Sequence, residues 1–176
     1  GGPSRLRRYG PPLLLLLGAI PLPYVIFYKL SFPLQLLSAR LAAGSLDLLG
    51  LQVVRTGNIF TVGEHALEVV GACSGIRSMM ALCTLGAALA VALRLPVWRS
   101  IVLVLAALPA AMLGNVLRLV VTALLTLVLG ARATEGALHE AVGFVGFAAG
   151  LALLVGLVKL LRRGIPAATW TAGRAA

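Results

Sequence analysis

Acidic residues are nearly missing from this chain: five Asp and Glu stand against 15 Lys and Arg in 176 residues. Charge of either sign is scarce at 11%, well under the roughly 25% of an ordinary soluble domain. With 60% hydrophobic residues and a mean hydropathy of +1.04, this excludes an ordinary soluble globule and indicates a small integral membrane protein. Histidine is limited to His65 and His139. There is no H-E-x-x-H pattern, and His139-Glu140 has no second His one turn on, so no metal or other cofactor is expected. A Gly-rich phosphate loop is also missing. Only Cys73 and Cys83 carry thiols. On one helix they would lie about 15 Å apart, too far for a disulfide, so each is read separately. The net charge of +10 has no basic run with interleaved aromatics behind it. It therefore fits basic loops at a membrane surface and lipid contact, with no nucleic-acid partner.

What is present is apolar length. The expected architecture is an all-α polytopic membrane protein in a single domain, with about four to five transmembrane helices. A first span is expected over 12–30, bent by Pro21 and Pro23, with Tyr24, Phe27 and Tyr28 as interfacial aromatics. Segment 32–51 is apolar but carries Gln35, Arg40 and Asp47, and Ser38 to Ser45 interrupts it with small residues, which predicts an interfacial or re-entrant helix. Over 53–70, β-favouring runs flank Thr56-Gly57-Asn58, predicting a small extracytoplasmic β-hairpin that 63–70 could extend by a strand. Further spans are expected at 74–93, 100–129 and 140–161. The second of these exceeds a bilayer core, so it either projects beyond the membrane or breaks near Pro109 or Gly114. Gly130 to His139 reads as a polar loop.

The charge map orients these spans. Arg5, Arg7, Arg8, Arg94, Arg99, Lys159, Arg162, Arg163 and Arg174 fall on one side, which the bias of Lys and Arg makes cytoplasmic, with both termini inside. Asp47, Glu64, Glu68, Glu135 and Glu140 fall on the other side. The same topology brings Cys73, Arg118 and His139 to the extracytoplasmic face.

Polar groups inside an apolar chain are costly and tend to mark function. Cys73 opens a helix with Ser74 beside it and Arg77 one turn on, a setting that lowers a thiol's pKa. Cys83, among apolar neighbours, reads as a small packing residue. Asn115 and Arg118, three residues apart, share a helix face; Arg118 either snorkels or serves a substrate carboxylate, a thiolate or an oxyanion. His139, one turn before Gly143, either sits at the interface or acts as general base and later general acid. His65, between Glu64 and Glu68, reads as solvated.

Three of these motifs, in order, resemble the exosortase/archaeosortase family. They are Gly-Ala-Cys73-Ser74-Gly75-Ile76-Arg77-Ser78, Asn115-Val-Leu-Arg118 and His139-x-x-x-Gly143, and the likeness covers roughly residues 30–160. Members are multispanning transpeptidase-like proteins that process C-terminal sorting signals made of a short motif (PEP-CTERM in bacteria), a transmembrane helix and a basic tail. The resemblance implies a Cys73, Arg118, His139 triad, supported by Arg77, Asn115, Ser74 and Gly143. It also implies acyl transfer through a Cys thioester at the outer face of the cytoplasmic membrane. Many members carry more N-terminal spans than the single one read here. A substrate helix is expected to pack near Gly143, Gly146 and Gly150. Two other readings are set against this one. A rhomboid-like intramembrane serine protease would use Ser74 and His139, although Ala72-Cys73-Ser74-Gly75 lacks the first Gly of G-x-S-G. A non-enzymatic scaffold or transporter subunit would pair Arg118 with an intramembrane acid, and 100–129 holds none.

Overall fold

The computed structural model describes residues 24–70 and 73–162. Most of the expected first span, Gly71, Ala72, and Arg5, Arg7, Arg8, Arg163 and Arg174 lie outside the described residues.

Helix α1 runs Tyr24–Leu48 as one element of 25 residues. The boundary expected between 12–30 and 32–51 is not there: the helix passes through Pro33, whose ring is exposed. Tertiary packing outweighs the lost backbone bond, as it does for most protein helices. Ser31, Gln35, Ser38, Ala39, Ala42 and Leu46 repeat at helical spacing and are all buried. The small residues Ser38, Ala39, Ala42 and Ala43 let this face come close to its neighbour.

After a turn at Leu49 and Gly50, three short strands follow: β1 (Val53–Thr56), β2 (Ile59–Val62) and β3 (His65–Glu68). They form an antiparallel sheet in that order, with Val53 opposite Val62 and Val62 opposite His65. Gly57 and Gly63 take φ +63° and +60° at the two turns, a conformation that favours glycine. Strand alternation puts Phe60 and Val62 into the core, at 1% and 2% exposure. Asn58 then ties the sheet to the chain leaving it. Its Nδ2 donates to the Val69 carbonyl at 3.2 Å, and its own carbonyl accepts the Val69 N–H at 2.9 Å.

Three helices complete the fold. Helix α2 is Ile76–Ala92, α3 is Val97–Leu129 and α4 is Gly136–Arg162, with a 3₁₀ turn at Gly130–Thr134. Segment 130–139, read as a loop, is therefore mostly helical, and His139 stands in the first turn of α4. Gly136, at φ +64°, starts this new helix straight after the 3₁₀ turn. Helix α3 is unbroken through Pro109 and Gly114, which settles the two possibilities for 100–129 in favour of a long rod. Its 33 residues span about 50 Å, more than the ~30 Å of a bilayer core. Among the described residues, Val97–Leu129 and Gly136–Leu161 are long and apolar enough to cross a membrane, and Ile76–Ala92 is a shorter apolar helix. The architecture is consistent with a helical membrane protein.

Helix α3 is the hub: α1, α2 and α4 all pack on it. Leu82, Leu103, Ala111 and Leu154 centre one buried cluster between α2, α3 and α4. Ala42, Leu46, Phe60, Val69 and Leu119 centre a second, between α1, the sheet and α3. The α3–α4 contact is made backbone to backbone. A Cβ on Gly146 would stand 2.6 Å from the Gly114 carbonyl oxygen, one on Gly150 would stand 3.0 Å from that of Ala110, and one on Gly114 would run into the Gly146 carbonyl. The glycines expected to receive a substrate helix are thus already filled by α3. At the far end, Arg99 Nη1 donates to the Leu161 carbonyl at 2.6 Å and caps the last turn of α4.

Candidate active site

Short connections make α2, α3 and α4 run alternately up and down. The start of α2, the later turns of α3 and the start of α4 therefore share one end of the bundle, with the sheet at the same end, where Gly63 meets Leu127.

Cys73 precedes α2 rather than opening it. Its N–H donates to the Val70 carbonyl at 2.8 Å, and the helix begins only at Ile76, after Gly75 at φ +80°. This corrects the expectation that Arg77 lies one turn on along the same face. Helical spacing does not hold across 73–77, so Cys73 is buried while Arg77 is exposed. Ser74 is fully buried, and its Oγ lies 3.5 Å from the Ile76 N–H. Gly75 is needed twice: for its positive φ, and because a Cβ there would press on the Asn115 amide at 3.1 Å.

Asn115, 4% exposed, holds the Cys73 peptide. Its Nδ2 donates to the Cys73 carbonyl at 2.8 Å and to Ser38 Oγ at 3.0 Å. Three residues on, Arg118 turns toward α4. It passes over Gly143, where a Cβ would lie 3.4 Å from the guanidinium carbon, and its Nη2 reaches His139 Nε2 at 2.8 Å. Gly143 is thus the residue that gives the arginine room.

The Arg118–His139 contact fixes the state of the imidazole. A guanidinium can only donate, so Nε2 must accept, and the ring is neutral with its proton on Nδ1. Arg118 Nε and His139 Nδ1 are buried and have no hydrogen-bond partner among the described residues. Unused buried donors of this kind are uncommon in folded proteins, and Arg99 Nε at the far end of the bundle is another.

Arg118 and His139 are therefore brought together, and Asn115 is brought to Cys73. No hydrogen bond among the described residues joins the Cys73 thiol to Arg118 or His139. Cys73 belongs to the buried cluster that contains Leu119, next to Arg118 in α3, and Ala123, one turn further on. Asn115, which fastens the Cys73 carbonyl, lies three residues, about 4.5 Å along the helix axis, before Arg118. Cys83 lies deeper, half-buried, with its Sγ 3.8 Å from the Val104 carbonyl. Ser38 was not singled out from the sequence; the available signal was its place in a small-residue stretch of an otherwise bulky apolar segment. Among the described residues, no group of three His, Cys, Asp or Glu side chains could hold a metal ion.

Comparison with known proteins adds one finding. Neither a curated protein nor a solved structure matches the chain. The sequence profile of the family described as transmembrane exosortase does match, over residues 1–156. A match over most of the 176 residues decides the relationship, and the chain belongs to the transmembrane exosortase family.

Proposed function

We propose that this protein is a membrane cysteine transpeptidase that cleaves C-terminal sorting signals of exported proteins through a thioester on Cys73. Membership of the family suggests a sorting transpeptidase. The observation that carries the residue assignment is the 2.8 Å Arg118–His139 bond, one turn of α3 from the residue that holds the Cys73 carbonyl. The substrates are proteins ending in a PEP-CTERM-like motif, an apolar helix and a basic tail. Reaction takes place at the outer face of the cytoplasmic membrane, with both termini of this chain inside.

The chemistry follows from the neutral imidazole. In the resting pair the one free ring lone pair, on Nε2, is occupied by Arg118. A substrate carbonyl that accepts from the guanidinium draws Arg118 away and frees Nε2 to take the proton of the Cys73 thiol. This step requires the thiol to leave its buried place in the cluster that contains Leu119. The thiolate forms an S–C bond while the carbonyl π pair moves to oxygen, where Arg118 stabilises it. Collapse breaks the C–N bond, and the Nε2 proton goes to the departing nitrogen. An acceptor amine or water then attacks the thioester, gives its proton to Nε2, and expels the Cys73 sulfur, which recovers that proton.

Separate Cys73→Ala and Ser74→Ala variants, presented with a substrate carrying such a signal, test the assignment. Cleavage is expected to vanish only with Cys73→Ala, and wild type is expected to yield a covalent substrate adduct. Loss confined to Ser74→Ala overturns the cysteine mechanism in favour of a serine one. Persistent absence of any adduct with an authentic substrate overturns the enzymatic reading.

A further inference from the structure

We infer that Ser38 is a positioning residue for Cys73 and acts through the side-chain amide of Asn115. The inference rests on Cys73 being the nucleophile of the proposed reaction. Ser38 is completely buried on α1, which approaches the site from outside the three helices that carry the sequence motifs. Its Oγ accepts from Asn115 Nδ2 at 3.0 Å and donates to Met112 Sδ at 3.4 Å. Met112 and Asn115 are three residues apart on α3, so one hydroxyl bridges two successive positions of that face.

The way this hydroxyl points is unusual for a helix. A serine inside a helix commonly returns its O–H to the carbonyl four residues back. Ser45, in the same helix, does so, donating to the Leu41 carbonyl at 2.8 Å. Ser38 instead turns across to α3. Its partner gains geometry from this. The last torsion of asparagine is soft and broad, so a single hydrogen bond would leave the amide free to swing. The two N–H bonds of Nδ2 lie in one plane at a fixed angle. When Ser38 takes one, the other is aimed at the Cys73 carbonyl, where it is found at 2.8 Å. Gly75 closes the remaining side, since its Cβ position lies 3.1 Å from the Asn115 amide carbon. Ser38, Asn115 and the Cys73 peptide thus form a chain of defined direction across three separate parts of the fold.

A double-mutant cycle on the full chain tests this. Ser38→Ala is expected to lower kcat for signal cleavage roughly tenfold, the loss typical of one buried hydrogen bond, with KM within twofold. Asn115→Ala is expected to lose at least as much, and the double variant no more than Asn115→Ala alone. Ser38→Thr, which keeps the hydroxyl, is expected to restore kcat even where its thermal midpoint falls. Leu103→Ala, fully buried in the other cluster and about 18 Å along α3 from Asn115, serves as the purely structural control, lowering the midpoint without the kcat loss. A Ser38→Ala variant within twofold of wild type, or losses that multiply in the double variant, overturns the inference. Failure of the wild-type chain to cleave would count against the proposed function instead. The positioning role is then read from the rate at which N-ethylmaleimide alkylates Cys73 in a Cys83→Ala background. Non-additive changes for Ser38→Ala and Asn115→Ala support it; no change, or additive ones, overturn it.

Discussion

Asn115 and Arg118 stand one turn apart on the same helix, yet their surroundings differ in kind. On the Asn115 side both amide hydrogens are taken, by Ser38 and by the Cys73 carbonyl, and the group is all but sealed from solvent. On the Arg118 side the guanidinium spends one N–H on His139, while Arg118 Nε and His139 Nδ1 have no partner among the described residues. A donor with both hydrogens engaged fixes geometry, because every alternative position costs it a bond. An unsaturated one keeps capacity for a ligand. In the proposed reaction the contrast separates two tasks: one side of α3 holds the Cys73 backbone still, and the other offers donors to a substrate oxygen.

The contrast breaks most sharply at Arg118. Arg118→Ala is expected to cut the proposed acyl transfer by about 10²–10³-fold, the scale of losing an oxyanion donor, with folded yield retained. A loss under tenfold, measured with the same signal-bearing substrate, would mean that the free donors take no part in the reaction. Gly146 gives the next largest effect. Gly146→Ala forces a Cβ to 2.6 Å from the Gly114 carbonyl and to 2.8 Å from Arg118 Cβ, so α4 must shift away from α3. A destabilisation of about 1–3 kcal/mol is expected as a lower thermal midpoint in detergent, together with lost activity as the Arg118–His139 contact opens. An unchanged midpoint would remove the rigid α3–α4 seam on which that contact depends. The smallest effect sharpens the comparison from outside. Cys83→Ala is expected to leave cleavage within twofold of wild type and to reduce thiol labelling of the denatured chain by one equivalent, since Cys83 touches neither side of the site. A large loss there would move the thiol chemistry away from Cys73.

The sequence made some of this legible and hid the rest for physical reasons. The long apolar runs around 100–129 and 140–161 stand out because hydropathy adds up along a helix whatever its partners. The order of Cys73, Arg118 and His139 was readable as a pattern of residue types. Helix α1 was not readable as one element. Pro33 and the polar residues from Ser31 to Ser45 lower a running average, but Ser31, Gln35 and Ser38 all fall on one buried face, where each has a hydrogen-bond partner. An average over a window cannot see a face. The relation between Cys73 and Arg77 failed for the opposite reason, since helical spacing was applied across a stretch where the helix has not begun. Ser38 was hidden because its partners lie 74 and 77 residues away, and the small-residue stretch around it does not say which of its residues is used.

The separation along the chain has a consequence in time. The amide that holds the Cys73 carbonyl lies 42 residues downstream of it, and the partner of Arg118 lies 21 residues beyond that arginine. At ribosomal speeds of about 5–20 residues per second, the thiol is synthesised roughly 2–8 s before its backbone clamp exists. The pair of Arg118 and His139 follows later still. Under the proposed mechanism, a nascent chain carries the Cys73 thiol through insertion before Asn115, Arg118 and His139 exist, and the competence to act appears only when α4 arrives.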